Sequence, residues 1–279
     1  MSTPSLSDAE LHRLLSEDCP YGDLTTLSLG IAQNPARLTF HARGRMVVAG
    51  IEEAARMFAL CGASAAAKVR SGDLVEAGAV LLMAEGQAGA LHTGSKVAQT
   101  FTEIWSGIAS AARQLVDGAT AVNPSVKIAC TRKNVPGTKA MAVKAIRAGG
   151  AVSHRLGLSE TILVFAEHRL FLDEEWSETA RRLRIEAPEK KLVIEVDNPD
   201  EALRAASAGF DVIQAERFTP DMIAAVISKL KAPRPLIAAT AGINPDNVAG
   251  YVRAGADIIV TSWPYTARPC DVKVKFSRG

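Results

Sequence analysis

The sequence predicts a six-stranded open parallel α/β barrel with a separate N-terminal α+β domain. Three observations support that fold. Six short runs between Val126 and Thr261 are apolar on both faces, the pattern of buried parallel strands. Most are followed by segments with helix start and stop signals. Polar residues stand at the C-terminal ends of the runs, and a barrel collects such residues around one mouth.

Residues 1–105 make up the expected N-terminal domain. There "ARLTFHARG" (Ala36–Gly44) alternates apolar and polar residues, as a half-buried antiparallel strand does. "IEEAARMFALCG" (Ile51–Gly62) reads as a helix stopped by Gly62. "KVRSGDLVEAGAVLLMAEGQAGAL" reads as short strands broken by glycine turns. A long helix over roughly 93–115 leads into the barrel domain, residues 106–265. The tail, residues 266–279, contains the alternating "DVKVKFSRG" and is expected to return to the first domain as a strand.

The barrel runs are Val126–Cys130, Thr161–Phe165, Leu192–Val196, Asp211–Ala215, Pro235–Ala239 and Asp257–Thr261. The helix after the first has Pro136 near its start and Gly149 at its end. Three later helices open with Asn or Thr, then Pro, then Asp: a cap, a pre-set first turn and a charge suited to the helix dipole. An open doubly wound sheet is the competing arrangement. At about 4.8 Å per strand, it would hold the outer strand ends more than about 20 Å apart. A barrel brings Thr131, Arg132, Glu195, Glu216, Thr240 and Thr261 to one rim.

The composition limits what the chain can do. It has 279 residues, 48% hydrophobic and 22% charged, enough for a core without metal or disulfide staples. A net charge of +2 argues against whole-surface binding to nucleic acid or an anionic membrane. The four cysteines are scattered with no C-x-x-C, so free thiols in a reducing cytoplasm are expected. The start "MSTPSLSDAELHRLL" lacks a basic region before a long apolar core, so no secretory signal is expected, and no run is long enough to span a membrane.

"CTRKNVPGTK" (Cys130–Lys139) places Arg132 and Lys133 directly after the first barrel strand, and His154 and Arg155 precede the second. An Arg fork and a Lys point charge suit an anionic ligand. Lys139, Lys144 and Arg147 are expected on a solvated helix face. Glu195 lies inside an apolar run and Glu216 directly follows one. Such carboxylates could hold Mg²⁺, stabilise a cationic sugar centre, or form a structural ion pair. "ATAGINPDN" (Ala239–Asn247) and "TSW" (Thr261–Trp263) put small residues and a helix start after the last two strands. Barrels commonly bind phosphate there.

"TRK" before "PG", then "GG", "HR" and "GL" within Thr131–Leu158, resembles the quinolinate phosphoribosyltransferase (nicotinate-nucleotide pyrophosphorylase) family. "EDCPYGDLTT", "SGIA" and "GINPDNV" are similar too, and "SHRLGLSETILVFAEHR" and "PYTARPCDVKV" resemble its ModD branch, which is associated with molybdate transport. The resemblance implies transfer of phosphoribose from phosphoribosyl pyrophosphate (PRPP) to quinolinate or a related small aromatic acid, with Mg²⁺ and release of pyrophosphate. It implies a homodimer in which Lys96 serves the neighbouring subunit's site. Thr131, Arg132, His154, Arg155 and Phe165 would meet the acid, Lys133 the pyrophosphate, and Glu195 and Glu216 the ribose and metal. Thr240, Ala241, Gly242 and Thr261 would take the 5′-phosphate.

The sequence departs from the family pattern most at the acid-binding end. Phe165 stands where the family has an active-site Lys, and Lys96 where it has an Arg. Glu216 replaces an Asp, Ala241 a Gly and Ala238 a Glu. An altered acceptor, or a non-catalytic anion site used in molybdate handling, is therefore the alternative expectation. A Schiff-base barrel enzyme using Lys133 is a third.

Overall fold

The computed structural model describes residues 4–279; residues 1–3, the first of the stretch read as carrying no signal, lie outside the described residues. In chain order come α1 (Asp8–Asp18), α2 (Leu24–Ser28), β1 (Pro35–Ala42), β2 (Met46–Val47), α3 (Ile51–Leu60), β3 (Ser64–Ala67), β4 (Leu74–Val75), β5 (Val80–Gln87) and α4 (Ala88–Thr120). Then follow β6 (Lys127–Cys130), α5 (Lys139–Ala148), β7 (Val152–Ser153), β8 (Ile162–Val164), α6 (Ala166–Arg169), α7 (Trp176–Glu186) and β9 (Leu192–Val196). Last are α8 (Pro199–Ser207), β10 (Val212–Glu216), α9 (Pro220–Lys229), β11 (Leu236–Thr240), α10 (Val248–Arg253), β12 (Ile258–Thr261) and β13 (Val272–Arg278). Two compact units result: residues up to 113 with 134–150 and 264–279, and residues 114–133 with 151–263. No helix among the described residues is long and apolar enough to cross a membrane.

The first unit is built on an antiparallel sheet of order β13-β1-β5-β3. β1 carries the alternation read from its sequence, so Leu38, Phe40 and Ala42 are buried on one face. β13 pairs with β1 from Ala36↔Arg278 to Ala42↔Val272. α1 starts with a capping box, in which Ser7 accepts the Glu10 N–H and the Glu10 carboxylate accepts the Ser7 N–H. The core packs Leu11, Phe40, Ile51, Met57, Phe58 and Leu81 together. α4 extends beyond the 93–115 expected at both ends. A Cβ on Gly94 would lie 3.0 Å from the Phe58 ring, so this glycine permits close packing without ending the helix.

Lys144 corrects the expectation of a solvated helix face. Its side chain is 1% exposed, and its ammonium lies 2.7 Å from Glu53 Oε2 and 2.9 Å from Glu52 Oε2. Lys139 and Arg147, on the same helix, are exposed as expected. Glu52 also accepts the Ser71 N–H at 2.8 Å and the Ser71 hydroxyl at 2.5 Å. Burial pushes the Glu52 carboxyl upward, but the Ser71 and Lys144 hydrogen bonds outweigh it and leave the group below its ordinary value. Both glutamates lie in the first turn of α3, where the helix dipole favours negative charge. This cluster is one reason why residues 134–150, read as part of the barrel, group with the first unit.

The second unit is a curled parallel sheet of order β7-β6-β12-β11-β10-β9-β8. It has seven strands, not the six expected. The extra strand is β7, two residues in a stretch read as loop, too short to show a period. β7 is fixed by its neighbour: Ala129 pairs with Val152 and Cys130 with Ser153, and the His154 N–H donates to Cys130 O at 2.8 Å. β7 and β8 are the two edges, so the barrel stays open.

On the inner side Ala129, Val212, Ala238 and Val260 pack as one apolar cluster. Two residues beyond Val212, the register sets Gln214 opposite both Glu195 and Ala238. Two residues further, it sets Glu216 opposite Thr240. Polar side chains thus replace apolar ones toward the C-terminal strand ends.

Lys144→Ala leaves two buried carboxylates without their cation. It is expected to cost about 3–5 kcal/mol, read as a lower denaturant midpoint at unchanged slope. Gly149→Ala should also destabilise the first unit, because its Cβ would lie 2.3 Å from Ala109 O and 2.7 Å from Ala112 Cβ. A melting temperature equal to wild type would exclude that packing.

Candidate functional site

A cavity of about 450 Å³ opens at the C-terminal strand ends of the second unit. Thr131, Arg132, Lys133, His154 and Arg155 form its cationic wall. The Thr131 N–H donates to Thr261 O at 3.0 Å, and the Thr131 hydroxyl accepts the Lys133 N–H at 3.3 Å. This small turn directs the backbone of Arg132 and Lys133 out of β6. Among the described residues, neither Arg132 nor Lys133 pairs with a carboxylate within salt-bridge distance.

Arg155 is only 9% exposed, and its guanidinium lies over the Phe165 ring, 5.3 Å from the centroid. Burial, then the charge of Arg132, lowers its pKa, and Glu195 opposes them. His154 is pushed down to about 4, chiefly by burial and secondarily by the Arg155 charge. It is therefore a neutral imidazole at pH 7, not a cation. Phe165 and Leu163 form the apolar side of the cavity. His168 fixes Phe165 from behind: its Nδ1 accepts the Phe165 N–H at 3.0 Å and its ring stacks 5.7 Å away.

Glu167, Glu195 and Glu216 supply the acidic side. Burial raises the Glu195 carboxyl above its ordinary value. The Gln214 hydrogen bond opposes that rise, while Glu216, Asp197 and Glu167 add to it. Gln214 Nε2 donates to Glu195 Oε2 at 2.5 Å. Glu216 has Arg217 Nε 3.6 Å away, and Arg217 has φ 57°. Among the described residues no group of three His, Cys, Asp or Glu is arranged to cage a metal.

Thr240 lines the cavity, and the loop beyond it is held from several sides. Ala241 and Gly242 both take positive φ, 72° and 68°. Asn247 Nδ2 donates to Gly242 O at 3.0 Å, and the Thr261 hydroxyl donates to Ile243 O at 2.8 Å. Thr261 also accepts the Trp263 N–H at 3.1 Å, so its hydroxyl proton braces the loop and is not directed at a ligand. α10 begins at Val248, after the turn formed by Asn244–Asn247, so the loop is not the start of the helix as read from sequence.

Nine residues singled out from the sequence therefore line one cavity: Thr131, Arg132, Lys133, His154, Arg155, Phe165, Glu195, Glu216 and Thr240. Ala241, Gly242 and Thr261 are not among its lining residues. Lys96 lines a different groove, of about 570 Å³ in the first unit, and its ammonium donates to Gln99 Oε1 at 3.2 Å. Sequence reading missed Gln214, Glu167, Leu163 and Val260. Gln214 was detectable: it shares the period-two face of β10 with Glu216.

Residues 23–106 match the family model for the quinolinate phosphoribosyl transferase N-terminal domain, and residues 108–275 match that for its C-terminal domain. The chain is 49% identical over 253 residues to "Putative pyrophosphorylase ModD" of Rhodobacter capsulatus, covering 90% of this chain and 97% of that one. It is 31% identical over 267 residues to "Probable nicotinate-nucleotide pyrophosphorylase (carboxylating)" of Synechocystis sp., covering 94% and 89%. The nicotinate-nucleotide pyrophosphorylase structure from Francisella tularensis superposes with a TM-score of 0.89 over 96% of this chain and 95% of that one. At 20% identity, that likeness bears on the fold alone. Two family domains matched in order along the chain, and a cavity at the parallel strand ends of the second, lead to one conclusion: the chain belongs to the quinolinate phosphoribosyltransferase family of pentosyltransferases.

Proposed function

We propose that the protein transfers phosphoribose from PRPP to a small aromatic acid and releases pyrophosphate. The observation that carries this reading is the division of charge within one cavity, with Arg132, Lys133 and Arg155 on one side and Glu195 and Glu216 on another. In the transfer, the bond from C1′ to pyrophosphate breaks and a ring nitrogen of the acceptor bonds to C1′. Arg132 and Lys133 would stabilise the departing pyrophosphate, and the carboxylates the cationic ribosyl centre. For quinolinate itself, loss of CO₂ would follow.

Mg²⁺ fits this arrangement. A protein that holds it beside substrate phosphates needs only one or two carboxylates, which Glu195 and Glu216 provide. When bound, the ion would neutralise charge on the pyrophosphate. As the family resemblance implies, the working form would be a homodimer in which each copy supplies Lys96 to the other.

Phe165 decides the acceptor. Its ring supports Arg155 and offers a flat apolar surface to the acceptor ring. His154, being neutral, adds no second charge. These features favour an aromatic acid with one acidic group over a dianion. The same site without turnover would serve as an anion-binding pocket, and turnover separates the two.

Protein supplied with PRPP, Mg²⁺ and a panel of aromatic acids should release pyrophosphate with at least one of them. No release above the blank across the panel would leave only anion binding. Glu195→Gln keeps a partner for Gln214 and should lower that release by about a hundredfold or more. Phe165→Lys should raise the kcat/KM ratio of quinolinate to a pyridine monocarboxylate by about tenfold, since a cation replaces an apolar surface. An unchanged ratio would separate Phe165 from acceptor choice.

His154 also makes stability depend on pH. Its folded pKa of about 4 lies below the ordinary 6.5, so the unfolded chain takes up the proton first. Its contribution is intact above about pH 6.5 and is lost progressively down to about pH 4, by up to about 3 kcal/mol. His154→Gln should flatten the stability profile across that window, as followed by denaturant unfolding at a series of pH values.

A further inference from the structure

Among the described residues, two buried side-chain polar atoms have no hydrogen-bond partner: Ser153 Oγ and Gln214 Oε1. A hydroxyl can rotate toward a new partner, but the Gln214 amide cannot reorient freely. Its Nε2 must face the Glu195 carboxylate, an acceptor that it meets at 2.5 Å, so Oε1 is committed to another direction. Gln214 is 4% exposed and lines the cavity. Its register partner on the other side is Ala238, whose methyl group offers no donor. Leaving a buried carbonyl without a donor is destabilising, a cost that a ligand donor would remove.

The missing group must bring an N–H or O–H. Phosphate and carboxylate groups of a bound substrate bring only acceptors, which suits them to Arg132, Lys133 and Arg155 instead. Glu195 and Gln214 Oε1 are neighbouring acceptors on adjacent strands. Two such acceptors match two neighbouring sugar hydroxyls. The geometry points to Gln214 as a substrate-contact residue that accepts a hydrogen bond from a ribose hydroxyl and so selects a hydroxylated sugar phosphate over its deoxy counterpart. This deepens the phosphoribosyl-transfer reading and rests on it.

The test is calorimetric and needs no turnover. Ribose 5-phosphate and its 2-deoxy and 3-deoxy analogues are titrated into wild type, Gln214→Met, Glu195→Ala and the double variant, with inorganic phosphate as control. Wild type should bind ribose 5-phosphate about tenfold more tightly than one deoxy analogue. Gln214→Met should remove most of that preference and leave phosphate affinity unchanged. The loss must recur when Gln214→Met is added to Glu195→Ala, where there is no carboxylate to orient. Gln214→Leu replaces the Met variant if that one does not fold. A preference unchanged by Gln214→Met, as when the carbonyl serves only a bound water, overturns the proposal. So does a loss confined to the background that retains Glu195, which would make Gln214 a brace for the carboxylate. If wild type binds inorganic phosphate but neither ribose 5-phosphate nor PRPP, the transferase reading falls and this inference with it. Ribose 5-phosphate binding without the Gln214 effect removes this inference alone.

Discussion

The parallel register of β9, β10 and β11 constrains everything at the mouth of the second unit. Glu195, Gln214 and Ala238 share one level, and Glu216 and Thr240 the next. Because side chains alternate along a strand, a slip of one residue would turn these groups to the other face and bring Ile213, Ala215 and Ala239 inward. The apolar inner cluster of Ala129, Val212, Ala238 and Val260 resists that slip. Hydrophobic burial thus holds the polar residues in place, and they do not have to stabilise themselves.

The two units treat charge in opposite ways. In the first, Lys144 meets Glu52 and Glu53 at hydrogen-bond distance, and Ser71 satisfies Glu52 further. That is a closed, paired cluster whose cost of burial is offset internally. In the second, Arg155 rests on an aromatic ring, His154 is held neutral, and Glu195 is raised by burial. Among the described residues, neither Arg155 nor Glu195 makes a salt bridge with an oppositely charged side chain. A ligand that supplies the missing charge would bind strongly because the protein already bears the cost of desolvation, a form of preorganisation. The contrast separates a cluster that satisfies its own charges from a cavity whose charged groups remain open to a ligand.

What the sequence revealed follows from the range over which each signal acts. The six apolar runs were legible because burial on both faces marks a short stretch by itself, and five of the observed strands start one residue inside the predicted run. β7 was not, because two residues have no period and the strand exists only through its pairing with β6. Arg132, His154, Arg155, Glu195 and Glu216 were legible because strand ends are recognisable one at a time. Lys144 was misread because its partners lie 91 and 92 residues away, and a Lys on an amphipathic helix reads as solvated unless those partners are known. Gln214 was passed over for a related reason. Within "DVIQA" it looks like a lapse in an apolar strand, although its spacing from Glu216 puts both on one face, and the register with Glu195 makes it half of a polar pair.

The loop after β11 shows why small residues there need not mean that every side chain meets a ligand. Among the described residues, eleven of those with positive φ are glycines, and the two exceptions, Arg217 and Ala241, directly follow the neighbouring strands β10 and β11. A side chain at such a φ costs roughly 1–3 kcal/mol. At Ala241 that cost is held by fixed hydrogen bonds around it: Asn247 to Gly242 O, the Asn244 N–H to Asn247 Oδ1, and Thr261 to Ile243 O. Of the residues assigned to the phosphate end from the sequence, Thr261 braces the loop through its hydroxyl. The small residues were read as letting backbone N–H groups approach a phosphate, a reading that does not depend on these bracing side chains. That separates the two ends of the site. The cationic wall is built from side chains, those of Arg132, Lys133 and Arg155. The loop after β11 rests instead on backbone geometry that hydrogen bonds from Asn247 and Thr261 hold in place.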